Sequence, residues 1–194
     1  MMIKRNIFKI FLSLLVLFTF FSCEENYTPK PRGYFRISFP EKQYQTFSNE
    51  FPYSFEYPTY SKIEIYNKDS CWINISFPNY NAKIHITYRK VTNNLPDLIE
   101  QSRKFSYKHT SKADEIIEEL KIDKKRKVFG TQYEIKGNVA SSVQFYLTDS
   151  VKNFMRASLY FSEIPNQDSL APVLSFIKKD INRFIETFEW TEQK

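Results

Sequence analysis

The sequence predicts an α+β fold: a single domain in which a mainly antiparallel sheet is packed by a central and a C-terminal helix. Three observations predict it. Several segments alternate apolar and polar residues, as strands do when one side faces water. Short turns join three such segments near the C-terminus into a meander. A final long segment instead has apolar residues at every third or fourth position, which is typical of an amphipathic helix.

The first half of the domain contains short strand-like segments. Residues 34–39 predict a strand that stops at Pro40. Residues 51–57 are rich in aromatic side chains, with Pro52 inside the segment and Pro58 directly after it. Because proline has no N–H to donate to a strand ladder, we expect an edge strand or an ordered loop. Antiparallel strands with one polar face are predicted at residues 62–66, 71–77 and 82–89.

A central helix is expected next, with Asn94 as its N-cap and an end near Tyr107. For the segment 111–120 the sequence allows either a helix or a strand. It begins with a capping-box pattern, yet its apolar pair Ile116 and Ile117 could equally open a strand.

The meander and the last helix follow. Turns are expected at 137–138 and 149–153, between strands at 128–136, 142–148 and 154–161. The stripe that predicts the C-terminal helix consists of Leu170, Leu174, Ile177, Ile181, Phe184 or Ile185, and Phe188.

The first 22 residues predict a secretory leader. Its apolar stretch, residues 10–21, is shorter than the roughly 20 residues that a membrane-spanning helix needs. It ends at Ser22 and Cys23, which resembles a bacterial lipoprotein signal, in which the cysteine is lipidated and becomes the first mature residue. Cys23 is therefore the predicted lipid attachment site. An incidental thiol behind an ordinary signal peptide or an anchor helix is the alternative.

This reading divides the chain into a signal peptide (1–22), a proline-rich tether (23–33) and an α+β globular domain (34–194). Acyl chains such as palmitate would hold the protein on a membrane outside the cytoplasm. We expect the outer membrane rather than the inner one, and the periplasmic side rather than the cell surface. Glu24 and Glu25 resemble acidic signals for surface export, although a solvated tether explains them equally well.

Composition argues against several classes of protein. Three of the 28 basic residues lie in the leader, so the mature chain carries 25 against 22 acidic residues, too even a balance for a nucleic-acid reader. The hydrophobic content of 42% argues against disorder. Three glycines and two cysteines leave no phosphate-binding loop and no disulfide framework.

No pattern predicts a catalytic, metal or cofactor site. His85 is expected as a solvated imidazole on the polar face of its strand, and His109 as a contact of the helix C-terminus. Cys71 lies on an apolar face, where it should act as a small hydrophobe rather than as a nucleophile. Asp149 and Ser150 suit a turn. The basic run 124–127 predicts a solvated loop or, alternatively, a contact with anionic headgroups or an acidic partner.

Several segments together resemble the GldD family of gliding motility lipoproteins of Bacteroidetes. They are the leader ending at Cys23, Pro29-Lys30-Pro31, Phe39-Pro40-Glu41, residues 51–56, residues 69–73, Gly137-Asn138, residues 144–150 and residues 158–161. The resemblance covers nearly the whole mature chain, although Phe20 stands where the lipoprotein signal prefers Leu. It implies an envelope lipoprotein needed for gliding, in a system that shares components with type IX secretion. It supplies no catalytic residue.

The sequence thus predicts a lipid-anchored accessory or assembly component of the gliding machinery that is not an enzyme and has protein partners there. The alternative is an envelope lipoprotein that binds or processes a cell-wall glycan or a small ligand. Such a protein would need a pocket with aromatic walls and a few convergent polar groups.

Overall fold

Two antiparallel sheets and two helices make up the computed structural model, which describes residues 37–192. The strands are β1 (Tyr44–Phe47), β2 (Tyr53–Pro58), β3 (Lys62–Asn67), β4 (Trp72–Phe77), β5 (Ala82–Lys90), β6 (Ala113–Asp123), β7 (Val128–Gly137), β8 (Val143–Thr148), β9 (Asn153–Phe161) and β10 (Glu189–Trp190). The helices are α1 (Leu95–Tyr107) and α2 (Gln167–Thr187), with a 3-10 turn at Pro78–Tyr80. The predicted α+β class, with a central and a C-terminal helix, is confirmed.

The larger sheet has seven strands in the order β3-β4-β5-β9-β8-β7-β6, and every neighbouring pair is antiparallel. The predicted meander is present as β7, β8 and β9. Its last strand pairs with β5, which joins the two halves of the chain into one sheet. The smaller sheet has the order β1-β2-β10.

One face of the seven-stranded sheet, here called the inner face, is buried under α2 and the smaller sheet. Apolar side chains meet across its strands, as where Ile84 lies between Ile75 and Leu159. The predicted stripe of α2 supplies the cover, with Ile177 and Phe184 buried in the same cluster. Burial of this apolar surface is the main source of stability.

The opposite, outer face carries more polar side chains and has a smaller cover. Helix α1 contacts mainly β8 and β9. Leu98 is buried there with Tyr133, Tyr146 and Phe154 in a second, smaller cluster. The part of the outer face formed by β3, β4 and β5 therefore lies to one side of the helix.

Two expectations concern the start of the domain: the strand at 34–39, of which residues 34–36 lie outside the described range, is not seen in the rest, and the one for 51–57 is wrong. Of the segment 34–39, the described residues 37–39 form no strand, and β1 lies further on at Tyr44–Phe47. The aromatic segment at 51–57 is neither an edge strand nor a loop, because β2 is the central strand of the smaller sheet. Pro52 precedes β2 and Pro58 ends it, so neither missing N–H interrupts the ladder.

The open segment at 111–120 is strand β6, which pairs with β7 along its length. Ile116 lies directly opposite Ile135, and this cross-strand pairing decides between the two local alternatives. Asn94 is the N-cap of α1 by position, but its side chain makes no capping hydrogen bond and instead accepts one from the Thr92 backbone N–H.

Candidate functional site

Lipid attachment at Cys23 was the predicted functional site, and Cys23 lies outside the described residues. The second cysteine, Cys71, is buried in the inner-face cluster, as predicted for a small hydrophobe. It stands just before β4 with φ at 54°, so it belongs to the turn rather than to the strand. The sites described below were not found by sequence reasoning.

A groove lies on the open part of the outer face. Its volume is about 300 Å³, and it is lined by Tyr66, Trp72, Asn74, His85, Ile86 and Thr87. The alternation of β4 and β5 explains the mixed lining, since the residues that do not face the core alternate with those that do. Trp72 donates its indole N–H to the Tyr88 carbonyl oxygen at 3.0 Å, which fixes the ring in the groove wall.

His85 lies at the centre of this groove wall. Its Nδ1 is 2.8 Å from Asn74 Oδ1, and because that oxygen only accepts, Nδ1 is the donor. The imidazole meets the Tyr160 ring edge to face. Partial burial of the ring and the nearby Lys83 ammonium lower the pKa of His85. His85 is exposed on the polar face as expected, but it is held by its neighbours rather than free in solvent.

Arg156 lies beside the groove, because it is directly opposite Thr87 in the register of β5 and β9. Its Nη2 donates to Gln144 Oε1 at 2.5 Å, and its guanidinium lies over the Phe105 ring of α1 at 4.8 Å. Burial lowers the pKa of Arg156. Among residues 37–192, no carboxylate forms a salt bridge with it.

Two further groups surround Arg156. His109 is half-buried, and its pKa is lowered by burial and by the charge of Arg156. This direction is opposite to the one that a favourable charge interaction with the helix C-terminus would give. Ser158 lies between His85 and Gln144 in register, and its buried hydroxyl has no hydrogen-bond partner in the part of the chain that the structure describes.

A second polar cluster fixes the start of the described chain to α2. The Asp180 side chain is 1% exposed and accepts two hydrogen bonds from Lys42 Nζ, both at 2.8 Å. Tyr60 and Tyr44 also donate to it, at 2.6 Å and 3.0 Å. Burial and the Asp180 carboxylate raise the pKa of Tyr44 to about 12. This Asp180 cluster lies where the chain enters the domain from the N-terminal side.

The free edge formed by β6 is the third feature. Among residues 37–192 β6 pairs only with β7, so within this range the other side of an 11-residue strand is unpaired. Leu120 and Ile122, two residues apart on one face of the strand, are 71% and 63% exposed. Long edge strands with exposed apolar side chains are sites where another strand can add.

The other residues that the sequence analysis singled out, Asp149 and the basic run, make contacts that hold turns and chain segments in place. Asp149 holds its turn as expected, because Oδ1 accepts the backbone N–H groups of Val151, Lys152 and Asn153. Burial of the carboxylate acts to raise its pKa, but these hydrogen bonds to the charged form outweigh it, so the pKa of Asp149 is lowered. In the basic run, Arg126 bonds Asp123 and the Phe188 carbonyl oxygen. The described part of the chain contains no group of three or more His, Cys, Asp or Glu that could hold a metal ion.

Nor does the described part contain a helix with the length and hydropathy that crossing a bilayer requires. The described residues form an α+β domain with a mainly antiparallel sheet. The model of one family, described as gliding motility lipoprotein GldD, matches residues 24–190. The chain therefore belongs to the GldD family of gliding motility lipoproteins, which confirms the resemblance noted in the sequence. No curated protein matches the chain.

Proposed function

We propose that this gliding motility lipoprotein is a non-enzymatic accessory component that helps to assemble the gliding machinery, in a system linked to type IX secretion. In this proposal Cys23 carries the lipid, and the domain faces the periplasm from the outer membrane. Confinement to a membrane raises the effective concentration of the domain near its partners, so that a modest interface suffices.

The observation that carries the docking role is the free edge of β6. A partner strand laid along β6 would satisfy its unpaired backbone groups. Its side chains would alternate, so that apolar residues two apart could cover Leu120 and Ile122. We therefore propose as the partner an extended segment of another gliding component with apolar residues at alternate positions.

The test replaces both Leu120 and Ile122 by Glu in the chromosomal gene. Because both side chains are largely exposed, we expect a normal amount of folded protein but loss of gliding on agar. The matched control replaces Val151 and Ile164, which are 67% and 88% exposed, in the same way. Gliding should persist in the control. Normal gliding in the Leu120 and Ile122 variant would contradict docking at β6.

The anchor needs its own test. A Cys23→Ala protein should not be lipidated, and it should leave the membrane fraction for the soluble one. Cys71→Ala is the matched control, because its thiol is in the core and should have no effect on fractionation. Membrane retention of the Cys23 variant, or fatty-acid labelling of it, would contradict the predicted attachment site.

A further inference from the structure

The most unusual group on the outer face is Arg156, a half-buried cation that forms no salt bridge within residues 37–192. Removing a charge from water without an opposite charge is costly, so buried arginines are normally paired. By contrast, Lys83, which is also half-buried, and the exposed Arg183 both have carboxylate partners. The surroundings of Arg156 therefore lack an anion.

The neighbours of Arg156 hold the guanidinium in place without neutralising it. Gln144 accepts one hydrogen bond, and the same oxygen also accepts from Ser106 Oγ at 3.3 Å. Phe105 covers one face of the guanidinium, and Lys108 lies over the same ring at 4.8 Å. A planar guanidinium fixed in this way is suited to bidentate binding of a carboxylate or a phosphate.

A second observation also points to a missing ligand. Ser158 lies two residues from Arg156 on the same face of β9 and is only 2% exposed, yet its hydroxyl has no hydrogen-bond partner among the described residues. Buried polar atoms without partners are rare in folded proteins, and a missing ligand or water is one explanation of them. Ser158 is directly opposite His85, which lines the groove.

The groove supplies the rest of the site. Tyr66 and Trp72 provide aromatic surface, and Asn74, His85 and Thr87 provide polar groups beside it. Apolar C–H faces of sugar rings pack on aromatic rings, while their hydroxyls need a few hydrogen-bonding partners. Because Asn74 takes Nδ1 of His85, Nε2 remains for such a partner. A groove of about 300 Å³ has room for a short saccharide rather than a large ligand.

We infer that this face binds an acidic saccharide, with its ring on Tyr66 and Trp72 and its anionic group on Arg156. Thr87 connects the groove to Arg156, because it lines the groove and lies directly opposite Arg156 in the sheet. This inference gives substance to glycan binding, the alternative that the sequence left open, and it does not depend on docking at β6.

The test measures binding of cellobiouronic acid and of cellobiose, its uncharged counterpart, to the full-length protein in detergent by isothermal titration calorimetry. The wild type should bind the acid at least about tenfold more tightly than cellobiose, because the ionised group adds charge-assisted hydrogen bonds. Inorganic phosphate alone should bind more weakly than the acid, because it cannot use the aromatic surface.

Two variants separate the parts of the site. Arg156→Gln should weaken binding of the acid about tenfold or more and leave cellobiose unaffected. Tyr66→Ala should weaken both sugars, and its 72% exposure makes it safe for folding if Arg156→Gln is unstable. The matched control is Lys152→Gln, which removes one exposed positive charge and should change neither affinity.

Three results would overturn the inference. They are wild-type protein that binds neither sugar, an acid affinity that Lys152→Gln lowers as much as Arg156→Gln does, and phosphate binding as tight as that of the acid. The last result would make the site one for free anions rather than for a saccharide.

Discussion

The two faces of the seven-stranded sheet are formed by the same strands but are covered by different elements and to different extents. The inner face meets a 21-residue helix and a second sheet, and its side chains form one large aromatic and aliphatic cluster. The outer face meets a 13-residue helix over part of its width, and its buried apolar cluster contains Leu98, Tyr133, Tyr146 and Phe154. The alternation of the strands thus divides the molecule into a face for stability and a face with room for polar, ligand-accessible groups.

The two sides also contain differently paired charged groups, although buried polar atoms without a partner among residues 37–192 occur on Gln132 and Trp190 as well as on Ser158. On the inner side, the buried carboxylate of Asp180 has hydrogen bonds from Lys42, Tyr44 and Tyr60. On the outer side, Arg156 forms no salt bridge in the described range and the hydroxyl of Ser158 has no hydrogen bond. Satisfied polar clusters stabilise a fold, whereas an incompletely satisfied one calls for an explanation, of which a bound ligand or water is one.

The largest effect should come from the inner face. Phe184→Ala removes a buried ring that packs against Phe55 at 4.2 Å and Phe145 at 5.6 Å between centroids. We expect the free energy of unfolding to fall by about 4 kcal/mol, the usual cost of a large cavity in a core. Urea denaturation of the wild type and the variant measures it. A loss below about 1 kcal/mol would show that the inner face is not the main source of stability.

The Asp180 cluster should come next. Asp180→Ala leaves the Lys42 ammonium, which sits 3.3 Å from the centre of the Phe176 ring, without its carboxylate. Removing one partner of a buried pair costs about 3 kcal/mol or more. Lys42→Met in the Asp180→Ala background should recover part of that loss, because it removes the unpaired charge. Thermal denaturation of the single and double variants provides the measurement, and additive losses would contradict the coupling.

The outer face should respond less strongly and more locally. Leu98→Ala truncates the buried contact of α1 and should lower the free energy of unfolding by about 2 kcal/mol. Because the outer cluster is small, we expect the backbone amides of α1 to exchange hydrogen faster in this variant while those of α2 stay protected. Hydrogen-exchange mass spectrometry resolves the two helices. Equal protection of α1 and α2 in the wild type would remove the contrast between the faces.

Particular residues show how far the sequence could predict this arrangement. Alternation predicted most strands, the N-cap position of Asn94 predicted the central helix, and apolar spacing predicted the C-terminal one, since these are local patterns. The Asp180 cluster joins Lys42 to a residue 138 positions away, and no local pattern reports such a contact. Arg156 could be placed on a polar face, but its position beside the groove follows from the pairing of β5 with β9, and its cover from α1. The prediction for residues 51–57 was wrong because Pro52 and Pro58 were taken to interrupt the strand, whereas one precedes it and the other ends it.

Alkaline pH should destabilise the protein, mainly through the inner side. Burial raises the pKa of Tyr53, and it raises the pKa of Tyr88 and of Tyr133 to about 12. The folded state therefore keeps phenol protons that the unfolded chain releases near pH 10, so the stability is full below pH 10 and falls as the pH rises toward the folded pKa values. For the fully buried Tyr53 the loss is about 1.4 kcal/mol per pH unit.

Urea denaturation at several pH values above 9 measures this slope. Tyr53→Phe is the control, since it should flatten the slope while losing about 1 kcal/mol at neutral pH with the bond from its hydroxyl to the Cys71 carbonyl oxygen. An unchanged slope in Tyr53→Phe would show that another group is responsible for the alkaline loss.

The smallest effect on stability is expected at the groove. Tyr66→Ala removes a ring that is 72% exposed, so the free energy of unfolding should change by less than about 0.5 kcal/mol. Trp72→Ala is the comparison variant, because the Trp72 indole N–H donates to the Tyr88 carbonyl oxygen and the ring also packs against the inner cluster. That variant should lose about 3 kcal/mol. If Tyr66→Ala proves equally destabilising, the ring is part of the folded core, and its exposure cannot be explained by a role in binding.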